Sequence, residues 1–396
     1  MSSRLIALAL VALWAAIGAV GAQGTDDIPL THPAINYTQT TNDPIAVMLR
    51  DARLRAKLES TDRAQLLKAL LSALSIPEES QMLVFVSSSL QRQAINKNNP
   101  RALYFSDSVS VGWVRGGFME IAAQDPTQGT VFYTAGASSQ ALFVREHDRC
   151  LQCHFSGRTE GVPGMVEPNR QSRPIEQRWG GWYVTGRLGT MQHLGNVDQA
   201  AFLKNPTLRA PGDLSSLNST FDTNGYLTPH SDVVALLVFE HQMQMMNLLT
   251  RIGWDTRVAK KEGRLEAQLA GIRERAEQVV DYMLFVNEAP IRSRIEGSSQ
   301  FADVFSNRSP RDRKGRSLYQ LDLQTRLMRY PCSYLIYSEQ FDQLPAEART
   351  AISQRLWAVL SGAERDRKYQ HLSPDVRTAI IEILRETKPQ LLPTPA

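Results

Sequence analysis

Between residue 135 and about residue 229 the chain has almost no apolar periodicity of helical or strand type, and Gly, Pro and Arg recur throughout. A folded protein rarely carries so long a stretch without regular structure unless a ligand or cofactor organises it. The flanks must therefore build the core, and this middle segment must be laid against them.

The flanks carry opposite patterns. Residues 46–74 place Leu54, Leu58, Leu66, Leu67, Leu70, Leu71 and Leu74 at helical spacing, and Thr61-Asp62 can cap a second helix ending before Pro77. Residues 82–86, 102–105, 109–114, 118–122 and 130–133 are short β-branched and aromatic runs separated by Asn-Pro, Gly-Gly and Asp-Pro, which predicts a small antiparallel sheet. Helical periodicity returns at 231–252, 261–286, 346–360 and 373–386. The expected class is α+β, mainly helical, with the sheet ahead of the loop-rich segment. The expected divisions are a leader at 1–22, a helical start and sheet at 23–134, the loop-rich segment at 135–229, and a helical region at 230–396. Residues 23–396 can equally form one integrated domain.

The leader reads as a secretory signal. Arg4 supplies a positive start, residues 5–20 are apolar and uncharged, and Val20-Gly21-Ala22 offers small residues for cleavage before Gln23. An uncleaved anchor would not need that ending. No later run is long and apolar enough to span a bilayer. The mature chain is thus expected to lack a transmembrane domain and to be periplasmic or otherwise exported. Its 44 Lys and Arg against 40 Asp and Glu include no basic block, which argues against a nucleic-acid partner. Three cysteines are too few for a disulfide framework.

Two of those cysteines lie in Cys150-Leu151-Gln152-Cys153-His154, inside the unpatterned segment. Thiols separated by two residues on a turn of helix can form thioethers to both vinyl groups of one haem. The next residue then presents its imidazole to the iron, making His154 the proximal ligand. Other chemistries share part of this spacing. A thiol–disulfide redox pair expects a strand-to-helix βαβ context that the flanking sequence lacks. Zinc needs two further Cys or His ligands, and no second pair exists. A disulfide between residues so close is strained. Cys332, between Tyr330 and Tyr334, reads as a buried structural thiol.

These five residues and the leader resemble the c-type cytochromes. The resemblance is local: the chain extends far beyond the compact domain of about a hundred residues that a small cytochrome needs. In size it is similar to large bacterial proteins known only to contain a cytochrome c domain. The likeness implies one covalent haem c on Cys150, Cys153 and His154, and names no substrate.

Four side chains are candidates for the distal iron position. Met191 and His193 lie in a Gly-flanked loop; methionine there would raise the potential and histidine lower it. His230 and His241 are eleven positions apart on an expected helix starting near Pro229, hence on one face but about 16 Å apart, so both cannot bind one iron. Each can instead be a core residue with local hydrogen bonds. Arg145, Arg149, Arg158, Arg170, Arg173, Arg178 and Arg187 supply cations for haem propionates, and Trp179, Trp182 and Tyr183 could pack at a porphyrin edge. Two functions fit this inventory. One is electron transfer with both axial positions filled by protein and a redox partner protein. The other is a haem enzyme, a peroxidase-like oxidoreductase with an open sixth position.

Overall fold

The computed structural model describes residues 28–138, 140–166, 171–210 and 213–393. The expected leader at 1–22, and Arg170, lie outside the described residues. Three helices come first among the described residues: α1 (Pro44–Arg50), α2 (Ala52–Glu59) and α3 (Arg63–Ala73). Spacing alone predicts two. Asp51 makes the difference, because its carboxylate accepts the Arg53 and Leu54 N–H groups at 2.9 and 3.1 Å. Those amides would otherwise bond back into the preceding turn, so Asp51 ends one helix and starts the next.

Six strands follow as a meander, each antiparallel to the next: β1 (Met82–Val84), β2 (Arg101–Phe105), β3 (Val109–Trp113), β4 (Met119–Asp125), β5 (Gly129–Ala135) and β6 (Phe143–Glu146). Five of them match the expected runs. β6 was hidden because it is a short, half-charged edge strand at the start of the unpatterned segment. It pairs with β5 from Phe143 opposite Ala135 to Glu146 opposite Phe132.

The period of two in each strand divides the sheet between two cores. Leu83, Tyr104, Val111, Ile121, Val131 and Tyr133 point to α1–α3 and pack with Ile45, Leu58, Leu66 and Leu70. Met82, Val84, Leu103 and Phe105 point the other way. Among its described residues the segment after the sheet holds only α4 (Leu151–His154), β7 (Gly186–Arg187), α5 (Gln199–Lys204) and isolated turns of 3-10 helix.

The second core is organised by α6 (Val233–Lys261), which is buried along almost its whole length and on every side. Such a helix belongs inside a protein, with other elements packed around it. Phe239 of α6 meets Phe105 of β2 with ring centroids 4.8 Å apart. Further along, Trp254 and Val258 reach into the first core, so one helix serves both. The remaining elements, α7 (Leu265–Met283), β8 (Glu296–Gly297, paired with β7), α8 (Phe301–Ser306), α9 (Glu339–Asp342), α10 (Ala346–Leu360) and α11 (Pro374–Thr387), complete an α+β fold. No described helix is long and apolar enough to cross a membrane.

The start of α6 corrects one expectation. Asp232 caps it, accepting from the Val234 and Ala235 N–H groups at 2.8 and 3.2 Å. His230 therefore precedes the helix and does not share a helical face with His241. Gln81 holds residues 228–230 out of the helix by donating to the Thr228 and His230 carbonyls, each at 2.7 Å.

Candidate functional site

Cys150 starts α4: its carbonyl accepts from the Cys153 and His154 N–H groups at 3.2 and 3.0 Å. That single turn brings positions 150, 153 and 154 to one side, because residues three and four apart are neighbours on a helix. Neither motif cysteine is in a disulfide. Cys150 is half-buried and Cys153 exposed. Burial, followed by the Glu146 and Glu120 carboxylates, pushes the Cys150 thiol up to about 12. A disulfide-exchange cysteine needs the opposite, a depressed thiol in electropositive surroundings.

The His154 ring is held on two sides. Its Nδ1 lies 2.8 Å from the Gly164 carbonyl oxygen. A carbonyl can only accept, so Nδ1 carries the proton and Nε2 keeps its lone pair. Phe132 of β5 packs against the ring at 4.8 Å between centroids. Burial holds the imidazole below its ordinary pKa, partly offset by the Gly164 hydrogen bond, so it is neutral at pH 7. A neutral imidazole is the form that binds a metal.

Gly164 is secured in turn. Its N–H donates to the His154 carbonyl at 2.9 Å, and the adjacent Pro163 carbonyl accepts from Thr130 of β5 at 2.9 Å. Among the described residues no group of three or more His, Cys, Asp or Glu side chains could hold a metal ion. By itself the motif carries one imidazole and two thiols, one fewer than the four ligands of a structural zinc site.

The four distal candidates lie elsewhere. Met191 is buried, and its sulfur accepts from the Arg292 N–H at 3.4 Å. His193 sits edge-on to Trp179 and lines an open cavity of about 310 Å³ with residues 189–192, Ala210 and Asp213. Burial pushes the His193 imidazole down to about 4, and its Nδ1 has no hydrogen-bond partner among the described residues. His230 is half-buried ahead of α6, also with an unpartnered Nδ1. His241 has both nitrogens engaged, with Nδ1 3.3 Å from Gln171 Oε1 and Nε2 2.8 Å from Ser333 Oγ. It also stacks on Phe285 at 4.3 Å. Among the described residues no hydrogen bond or ring contact joins any of the four to His154.

His241 yields a pH prediction. Burial pushes its imidazole down to about 3, so between its unfolded pKa near 6.5 and about 3 only the unfolded chain takes up its proton. Its contribution to stability is full above pH 6.5 and is lost progressively as pH falls towards 3. Urea titrations at several pH values should show this decline in the wild type and a weaker one in H241Q. Equal slopes in the two proteins would refute it.

Most of the arginines and aromatics around the motif are committed to other partners. Arg178 and the Trp179 indole N–H both meet Glu240 of α6, at 3.1 and 2.9 Å. Tyr183 donates to the Lys97 carbonyl at 2.8 Å. Arg145 donates to the Tyr37 and Gln39 carbonyls, Arg149 pairs with Glu146, and Arg187 pairs with Glu296. Arg158 is exposed on the turn after the motif, and its charge lowers the His154 pKa.

Sequence reasoning missed Phe132, Gly164 and Asn247, the α6 residue that holds the main chain beside Gly164. Only Asn247 left a signal, as an amide in a run of buried apolar residues, where a polar group must have partners. Comparison with protein-family models, curated proteins and solved structures found no match for the chain.

Proposed function

We propose that this chain, after export, carries one haem held covalently by Cys150 and Cys153 with His154 on the iron, and exchanges electrons with a redox partner protein. The observation that carries the reading is the 2.8 Å hydrogen bond from His154 Nδ1 to the Gly164 carbonyl. It leaves Nε2 as a bare ligand atom beside two unpaired thiols on the same turn. The residues present fit the group. Cys150 and Cys153 would hold it by adding each S–H across one vinyl group, with a C–S bond formed, the hydrogen placed on the neighbouring carbon and no oxidant consumed. Bound haem supplies one-electron exchange between ferrous and ferric iron. The Gly164 carbonyl orients the His154 ring and raises the basicity of Nε2. Phe132 limits rotation of the ring, and the exposed Arg158 would supply a cation for a propionate. The apolar leader at 5–20 supports export.

One observation favours a second reading, a peroxidase-like oxidoreductase with an open sixth position. His241 has both ring nitrogens engaged and the Met191 sulfur accepts from the Arg292 N–H, so two of the four distal candidates are already committed to other partners. The test is expression with haem-maturation machinery, then a denaturing gel stained for haem and optical spectra with and without carbon monoxide. Haem lost on the gel would overturn both readings. Ferrous iron that ignores carbon monoxide supports the carrier, and iron that binds it readily supports the open site.

A further inference from the structure

We infer that Asn247 is a positioning residue for the axial imidazole, acting through the peptide group between Gly164 and Met165; this rests on His154 being the iron ligand. Asn247 is 1% exposed in the middle of α6. Its Oδ1 accepts from the Met165 N–H at 3.1 Å and its Nδ2 donates to the Met165 carbonyl at 2.8 Å. A main-chain N–H can only donate and a carbonyl only accept, so the orientation of the side-chain amide is unambiguous.

The Met165 N–H and the Gly164 C=O belong to one planar trans peptide, in which they point in opposite directions. Holding the N–H on Asn247 therefore aims the carbonyl away from α6 and towards His154 Nδ1, 2.8 Å away. The close approach is visible at Gly164, where a Cβ would stand 2.1 Å from Asn247 Oδ1. Only glycine fits between them.

The same chain has an electronic consequence. A hydrogen bond donated by the N–H of a peptide polarises its carbonyl and makes it a better acceptor. A better acceptor at Nδ1 makes Nε2 a stronger donor to the metal and favours the ferric state. Asn247 thus acts on the iron without touching it.

The test uses the full-length haem protein with N247L, which removes both hydrogen bonds at similar volume, and N247D, which keeps the acceptor for Met165 N–H. The midpoint potential of N247L should rise, by about threefold to tenfold in the reduction equilibrium, where tenfold is ~59 mV for one electron. N247D should stay at or below the wild-type potential. Haem retention on a denaturing gel should be unchanged in both. An unshifted N247L, or an N247D shifted upward as far as N247L, overturns the inference. If N247L does not fold, N247D decides alone, and an upward shift refutes the role. Exchange of the His154 Nδ1 proton, followed by NMR in the haem-free chain, should be faster in N247L than in the wild type. That readout survives if no haem is ever attached, so failure of the haem reading and failure of this one are distinguishable; unchanged exchange overturns the inference.

Discussion

Replacing both Cys150 and Cys153 with serine is expected to abolish haem staining on a denaturing gel, whereas either single replacement leaves one thioether and a stained band. Serine fills nearly the same space, neither sulfur is in a disulfide, and Cys153 is exposed. The fold should therefore change in stability by no more than about 1 kcal/mol. H154A should behave differently. Both attachment points remain, so staining persists, but the iron loses its protein ligand and its spectrum changes. The Gly164 carbonyl also loses the N–H it accepts, at a cost of about 1–3 kcal/mol where no water replaces it. These variants thus separate attachment from ligation, using a gel, a spectrum and urea unfolding. Staining of the double serine variant at wild-type intensity would remove the covalent reading.

E240A is expected to be the most destabilising of the simple substitutions, by about 3–5 kcal/mol in urea unfolding. Arg178 and Glu240 form an ion pair at 3.1 Å in which each side chain is only 5% exposed. Removing one partner leaves the other charge buried without compensation, which costs far more than the pair contributes over an apolar replacement. Arg178 further donates to the Arg173 and Gln171 carbonyls at 2.7 and 2.8 Å, so its head group fastens residues 171–178 to α6. The double variant R178M/E240L should recover most of the loss. About 1–3 kcal/mol should remain, because the Trp179 indole loses its acceptor on Glu240. A double variant no more stable than E240A would contradict this account.

The Arg178–Glu240 pair also shows where sequence reading stops. Arg178 and Trp179 look like haem partners when judged by their distance along the chain from the motif. The structure joins both to α6, through Glu240, more than sixty residues away. The same holds for the histidines. Periodicity put His230 and His241 on one face, but Asp232 starts the helix after His230, and a capping carboxylate outweighs a proline signal when it takes the second and third amides of the helix. In contrast, the strands of β1–β5 and the helices α10 and α11 were legible to within a few residues, since strand period, turn residues and helical spacing are local properties. β6 was not legible, because a short, half-charged edge strand is defined by its partner as much as by its own residues.

What the sequence by itself determined is the local chemistry of the motif: two thiols and an imidazole at offsets of three and four, which any turn of helix brings to one side. It also determined the α+β class, through two runs of different period on either side of an unpatterned middle. Only the tertiary structure decided how the imidazole is held. Gly164, ten residues from His154, and Asn247, 82 residues beyond Met165, meet there because α6 is buried against the loop that follows the motif. The physical reason is range. Helical and strand periods act over a few residues, whereas an imidazole is oriented by whichever carbonyl packing brings to its Nδ1.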